Sequence, residues 1–209
     1  MKTMTKKHIY WIEFAVILGM LIALFVCFSG LASESEAISD QVLRLHILAN
    51  SDSDEDQALK LKVRDAILEE YDFGMVDDLA EAEQYAYDHL DDITQTAQQV
   101  VYQEGYDYPV HAELVNMFFD TREYDDFTMP AGRYDALRIT IGDAQGHNWW
   151  CVLYPPLCVP AAEPEQELEE TLTEDQCDLI EDSPKYDIRF AVIDLWENMK
   201  NTLSGQDNE

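Results

Sequence analysis

The chain has 209 residues, 47% of them apolar, which is enough for one substantial hydrophobic core and points to a single domain. It carries 43 acidic against 13 basic side chains, a formal charge of -30. A field of that sign repels nucleic-acid phosphates and anionic lipid headgroups, so neither is expected as a partner.

At the N-terminus Lys2, Lys6 and Lys7 precede an apolar run over 14–29, and Gly30, Leu31 and Ala32 are the small residues a signal peptidase reads. The segment predicts a secretory signal cleaved after Ala32, with signal peptidase as a partner. Counted from Ile9 it is also long enough to span a bilayer, with Glu13 its one charge, so an uncleaved anchor through residues 9–31 competes. In both cases the chain beyond residue 32 is expected outside the cytoplasm, because the lysines stay inside. Residues 33–41 read as an acidic linker, and a domain is expected over 42–203, with 204–209 a polar tail.

Leu43, Leu45, Ile47 and Ala49 alternate with Arg44 and His46, the period of a half-buried strand. Ser53 followed by Asp56 predicts a capped helix start, with Leu59, Val63, Ala66 and Ile67 on one face and Gly74 as its stop. From Val76 through Leu79, Ala86, Leu90, Ile93, Ala97 and Val100 the apolar spacing predicts one amphipathic helix of about seven turns, ended by Gly105 and Pro109. Its face is a core-packing face rather than a coiled-coil seam.

Beyond Pro109 the pattern becomes that of strands, over 110–119, 136–141 and 148–154. The loop 142–147, holding Gly142 and Gly146, predicts a hairpin between the last two. Residues 161–184 contain ten acidic and no basic residues and read as an exposed acidic loop with a short helical piece. Ile188, Val192, Leu195, Trp196 and Met199 suit a closing helix, though the start of that segment also suits a strand. The expected fold is α+β, a single domain with an antiparallel sheet of about four strands and helices packed on one face.

Chemistry-bearing motifs are few. Asp52 to Asp56 suggests a calcium loop, but Gln57 stands where the glycine belongs and Val63 where the bidentate glutamate belongs, so an EF-hand is excluded. Cys151 is the candidate nucleophile of an alternative reading, a secreted cysteine-dependent hydrolase, with His46, His89, His111 and His147 as possible bases. None of these sits in a recognisable signature, and the acidic chain disfavours a thiolate. A zinc site from Cys151, Cys158, Cys177 and a histidine has no supporting spacing. There is no Gly-rich phosphate loop and no nucleophile elbow, so no cofactor, metal, catalytic residue or small-molecule substrate is expected.

In an exported chain Cys151 and Cys158 flank a Pro-Pro bend and can form a disulfide, with Cys177 as a rival partner and three reduced, buried cysteines as the alternative. Trp149 and Trp150 are adjacent in a predicted strand, so their rings face opposite sides. One is expected in the core and one available to a partner, unless both faces are covered. Asn148, Trp149, Trp150 and Arg44 are the candidate partner-binding residues.

Two long segments carry a resemblance. The first runs from Leu43 through Arg44, His46, Asn50, Ser51, Asp52 and Ser53 to Asp56, Gln57, Lys60, Arg64 and Asp65. The second comprises Leu137, Arg138, Ile139, Ile141, Gly142, Gly146 and the run from Asn148 through Trp149, Trp150 and Cys151 to Cys158. Together they resemble the signatures of the stage II sporulation protein R family, with Tyr154 standing where a phenylalanine is expected. The resemblance implies a non-enzymatic signal made in the forespore and exported to the space between forespore and mother cell. There it would activate a membrane-embedded aspartic protease that processes the precursor of a mother-cell sigma factor.

Overall fold

A computed structural model describes residues 6–124, 127–158, 168, 171–180 and 188–204. Its first helix, α1 (Lys6–Ser39), runs unbroken through most of the segment expected to be a linker. The reason lies in its last turns, where Ser35, Ile38 and Ser39 are buried against the fold and the Ser35 hydroxyl donates to the Ala131 carbonyl at 3.4 Å. The N-terminal part is different. Tyr10, Phe14, Leu21 and Phe25 are exposed, and the apolar stretch has a mean hydropathy of 2.6, long and apolar enough to cross a membrane.

Strand β1 (Leu43–Leu48) follows, then α2 (Asp54–Glu70), a 3-10 turn (Phe73–Met75), α3 (Leu79–Asp88) and α4 (Leu90–Gln103). The Ser53 hydroxyl caps α2 by accepting the Asp56 N–H at 3.1 Å. That helix ends at Glu70, before Gly74 is reached. The helix expected as one piece over 76–100 is two, broken at His89. The apolar stripe passes through the break, with Ala82 and Ala86 on α3 and Ile93, Ala97 and Val101 on α4 all buried. A continuous stripe therefore conceals the interruption.

The remaining elements are β2 (Val110–Phe119), β3 (Arg122–Glu123), β4 (Thr128–Met129), β5 (Gly132–Ile141), β6 (Asn148–Tyr154), α5 (Glu174–Ile180) and α6 (Ile188–Ser204). The main sheet has the order β2-β5-β1-β6, and β3 pairs with β4 in a small ribbon. The fold is thus a single α+β domain with a four-stranded sheet. The sheet is mixed but mostly antiparallel: β5–β2 and β1–β6 are antiparallel, while β1–β5 is parallel. The hairpin expected between β5 and β6 does not form, because β1 lies between them. Six residues span that gap without forcing the strands to be neighbours.

Strand β1 is consequently central, and both its faces are covered rather than one. Leu45 and Ile47 join Leu137 and Ile139 beneath Leu59, Val63 and Ile67 of α2 and Ile93 and Val101 of α4. On the opposite face Ile38, Phe119, Met129, Tyr134, Ala136 and Val152 form a second core. Leu168, Leu172, Cys177, Leu179 and Ile180 are buried in it, so the apolar side chains of the described part of the acidic 161–184 segment are docked, while Thr173 and Asp175 stay exposed. The rest of that segment and nearly all of the polar tail lie outside the described residues. The closing segment is a helix, with Phe190 and Ile193 buried against Phe118 and Ala131.

Candidate functional site

Strand register brings four polar or aromatic residues from four strands into one transverse row. Glu113 of β2 faces Arg138 of β5, Arg138 faces His46 of β1, and His46 faces Trp150 of β6. Alternation places Arg44 on the same face, two residues before His46. This is the face of the second core, which leaves part of the row uncovered.

The His46 and Trp150 rings stack with centroids 4.0 Å apart and planes within 1°. Phe119 meets the indole edge-on at 4.7 Å. His46 is only 2% exposed, and neither of its nitrogens makes a well-formed hydrogen bond among the described residues. Burial lowers its pKa to about 4, helped by the guanidinium charges of Arg138, Arg122 and Arg44 and opposed by the side chain of Asn148. The ring is therefore neutral near pH 7.

Arg44 is fully buried, which corrects the expectation that it meets a partner directly. Its Nε donates to the Cys151 carbonyl at 3.1 Å and one terminal nitrogen donates to the Tyr124 hydroxyl at 2.8 Å. Its guanidinium lies 4.5 Å from the Phe119 ring centroid and 5.0 Å from that of Tyr134. No carboxylate pairs with it among the described residues, so its charge is held by aromatic faces and two neutral acceptors.

Above this floor opens a cavity of about 430 Å³. Three arginines line it: Arg122 from β3, with Arg133 and Arg138 from β5. Among the described residues Asp120 is the acidic group in its wall, and Glu113 approaches Arg138 at 3.7 Å. Arg122 also sits 5.1 Å from the Trp150 ring, while Arg133 donates to the side chain and carbonyl of Asn116. In a chain of net charge -30, with 13 basic residues in all, this concentration of positive charge stands out from the background.

The two sequence segments also lock together beside the cavity. The Asn50 side-chain oxygen accepts the Asp143 N–H at 2.9 Å, and its amide donates to Asp56 at 2.8 Å. Asp56 is 4% exposed; burial would raise its pKa, but hydrogen bonds from Ser51, Asn50 and Tyr108 outweigh that and lower it. Asp52 holds both the backbone and the ring of His147, and Lys60 donates to the His147 carbonyl at 2.8 Å. Gly142 and Gly146 allow this closeness. A Cβ on Gly142 would lie 2.2 Å from the Asn50 side-chain oxygen, and one on Gly146 would lie 2.2 Å from the Ser51 carbonyl oxygen.

Of the residues singled out from sequence, Asn148 is exposed and lines the cavity with Trp150. Trp149 is on the opposite face, half-buried beneath α2 with the Arg64 guanidinium 4.2 Å from its ring. Cys151 and Cys158 form a disulfide, and Cys177 is buried in the second core. With its sulfur bonded, Cys151 has no thiolate to serve as nucleophile or zinc ligand. His46 lies across the sheet from it, because Leu45 and not His46 faces Cys151 in the register. The sequence reading missed Arg122, Arg133 and Arg138 as pocket residues. The period-two alternation that put Arg44 and His46 on one face holds the same signal for Arg138, but nothing local aligned it with β1.

A family model described as stage II sporulation protein R matches residues 39–163. Stage II sporulation protein R of Bacillus subtilis (strain 168) is 38% identical over 149 residues, covering 69% of this chain and 66%, just under two thirds, of that protein. No solved structure matches.

Proposed function

The chain belongs to the stage II sporulation protein R family, and on that premise we propose that it is a non-catalytic signal acting outside the cytoplasm. Membership makes it a sporulation protein. The finer reading is that it is exported from the forespore to the space between forespore and mother cell. There it activates a membrane-embedded aspartic protease, which processes the precursor of a mother-cell sigma factor.

The observation that carries this reading is the site. Its ingredients are those of recognition: a cavity, three guanidinium groups, a half-buried tryptophan and a neutral, buried histidine. The one cysteine raised as a nucleophile is closed in a disulfide. The N-terminal apolar helix suits either a cleaved export signal or an anchor that would hold the domain at the membrane where such a protease resides.

Co-expression of this chain with the protease and the sigma-factor precursor, with and without residues 1–32, tests the proposal. Processing that depends on this chain supports it. Unchanged processing when the chain is omitted, or processing by this chain in the absence of the protease, would rule it out.

A further inference from the structure

We propose that the arginine-lined cavity binds a single carboxylate carried on an extended, otherwise apolar or basic segment of a protein partner. That the occupant belongs to a protein rests on the signalling reading above; the recognition of a carboxylate does not.

The first support is charge placement. Arg122, Arg133 and Arg138 converge on one opening in a chain whose net charge is -30; among the described residues Asp120 shares the lining and Glu113 approaches Arg138 at 3.7 Å, fewer carboxylates than guanidinium groups. Arg44, which no carboxylate pairs among the described residues, lies on the same face of the sheet as His46. A planar guanidinium donates two parallel N–H bonds to a carboxylate, so such a cluster suits that ligand.

The second support is an incomplete interior. His46 is 2% exposed and lines the cavity; the Asn148 side chain is the polar group that approaches its ring, and neither ring nitrogen reaches hydrogen-bond geometry among the described residues. Buried polar atoms are ordinarily satisfied, and a ligand polar group in the cavity would supply what is missing.

The third is shape. Leu48, Val115, Met117, Phe118 and Trp150 give the walls apolar area, and about 430 Å³ holds a few side chains rather than a polymer backbone with many charges. Val115 to Phe118 belong to β2, which pairs only with β5 among the described residues, leaving an edge to which an extended segment can add. A polyanion would be repelled by the surrounding field, whereas one carboxylate flanked by neutral or basic residues is not.

The test uses the full chain in detergent micelles and two fluorescently labelled peptides, acetyl-Lys-Phe-Glu-Phe-Lys-amide and its counterpart with Gln for Glu. Anisotropy titrations near physiological salt should show the Glu peptide binding roughly tenfold more tightly. General attraction to an acidic surface predicts the reverse order, because the Gln peptide is the more cationic. Arg122→Gln and Arg138→Gln should each lower Glu-peptide affinity by roughly tenfold, leave Gln-peptide binding alone and keep the thermal midpoint. If Arg138→Gln disturbs the sheet, Arg122→Gln, on the short outer ribbon, carries the result. Equal or tighter binding of the Gln peptide, no binding of the Glu peptide at millimolar concentration, or arginine variants that bind like the unaltered chain would overturn the proposal. So would displacement of the Glu peptide by inorganic phosphate and acetate alike at low millimolar levels, which would mark a free-anion site. Because no protease is present, carboxylate-dependent peptide binding alongside failed precursor processing counts against the signalling reading and leaves the pocket standing.

Discussion

His46 and Trp150 face each other across the β1–β6 ladder, and their rings stack at 4.0 Å with 1° between the planes. The pair joins the two segments by which the family is recognised, one supplying the imidazole and the other the indole. It also divides the tryptophans: Trp149 lies on the α2 side of the sheet and Trp150 in the wall of the cavity.

That division predicts different outcomes for two neighbouring substitutions. Trp149→Ala removes a half-buried ring from the main core and its contact with Arg64, and should cost about 3 kcal/mol of stability. Trp150→Ala should cost less, about 1 to 2 kcal/mol, yet abolish processing of the sigma-factor precursor. Chemical denaturation alongside the co-expression assay reads both. Equal losses of stability with processing intact in Trp150→Ala would refute the assignment.

His46 makes stability depend on pH. Its pKa of about 4 in the folded chain lies below the ordinary 6.5, chiefly through burial. Between those values the unfolded chain binds a proton that the folded chain refuses, so stability falls as pH drops from about 6.5 towards 4 and is unaffected above 6.5. The loss approaches roughly 3 kcal/mol at the acid end. Glu83 and Glu197, whose pKa values burial raises, act in the opposite sense near the acid end, and they remain in a His46→Phe variant. The midpoint of the unaltered chain should therefore fall relative to that of His46→Phe as pH drops from about 6.5 towards 4; a constant difference would exclude His46 as the source.

Gly146→Ala should destabilise the chain by about 2 kcal/mol or more, because its Cβ meets the Ser51 carbonyl oxygen, a backbone atom with little freedom to retreat. Gly142→Ala should do likewise, since a Cβ would strike Asn50 at a residue with φ of 61°. Thermal midpoints within a degree of the unaltered chain would show that the two segments are not locked as described.

Non-reducing peptide mapping of the purified protein should recover Cys151 joined to Cys158. Replacing both by Ser should cost about 2 kcal/mol, the size expected for a short closed loop. Recovery of Cys158 linked to Cys177 would contradict the pairing.

Intact-mass analysis of the protein recovered from the cells that make it addresses the N-terminus. Cleavage after Ala32 should leave Ser35, Ile38 and Ser39 attached, and these residues are buried against the domain. A membrane-bound species that retains the N-terminal lysines would establish the anchor instead.

By itself the sequence determined what depends on near neighbours. The apolar N-terminal run, the capped start of α2 at Ser53, the strands around Leu45, Ile139 and Cys151 and the Cys151–Cys158 proximity are set by periodicities and spacings within a few residues. Tertiary structure decided everything that needs distant segments to meet. Only strand order shows that β1 inserts between β5 and β6, because a strand's alternation names its faces but not its neighbours. For the same reason Arg122 and Arg133 gave no local sign of converging with Arg138, and Arg44 looked like a surface cation on a half-buried strand until a second core closed over it. Burial on both faces is a property of what packs above a strand, and that information is spread over α1, β2, β4 and α5, none of which is close to β1 in sequence except α1.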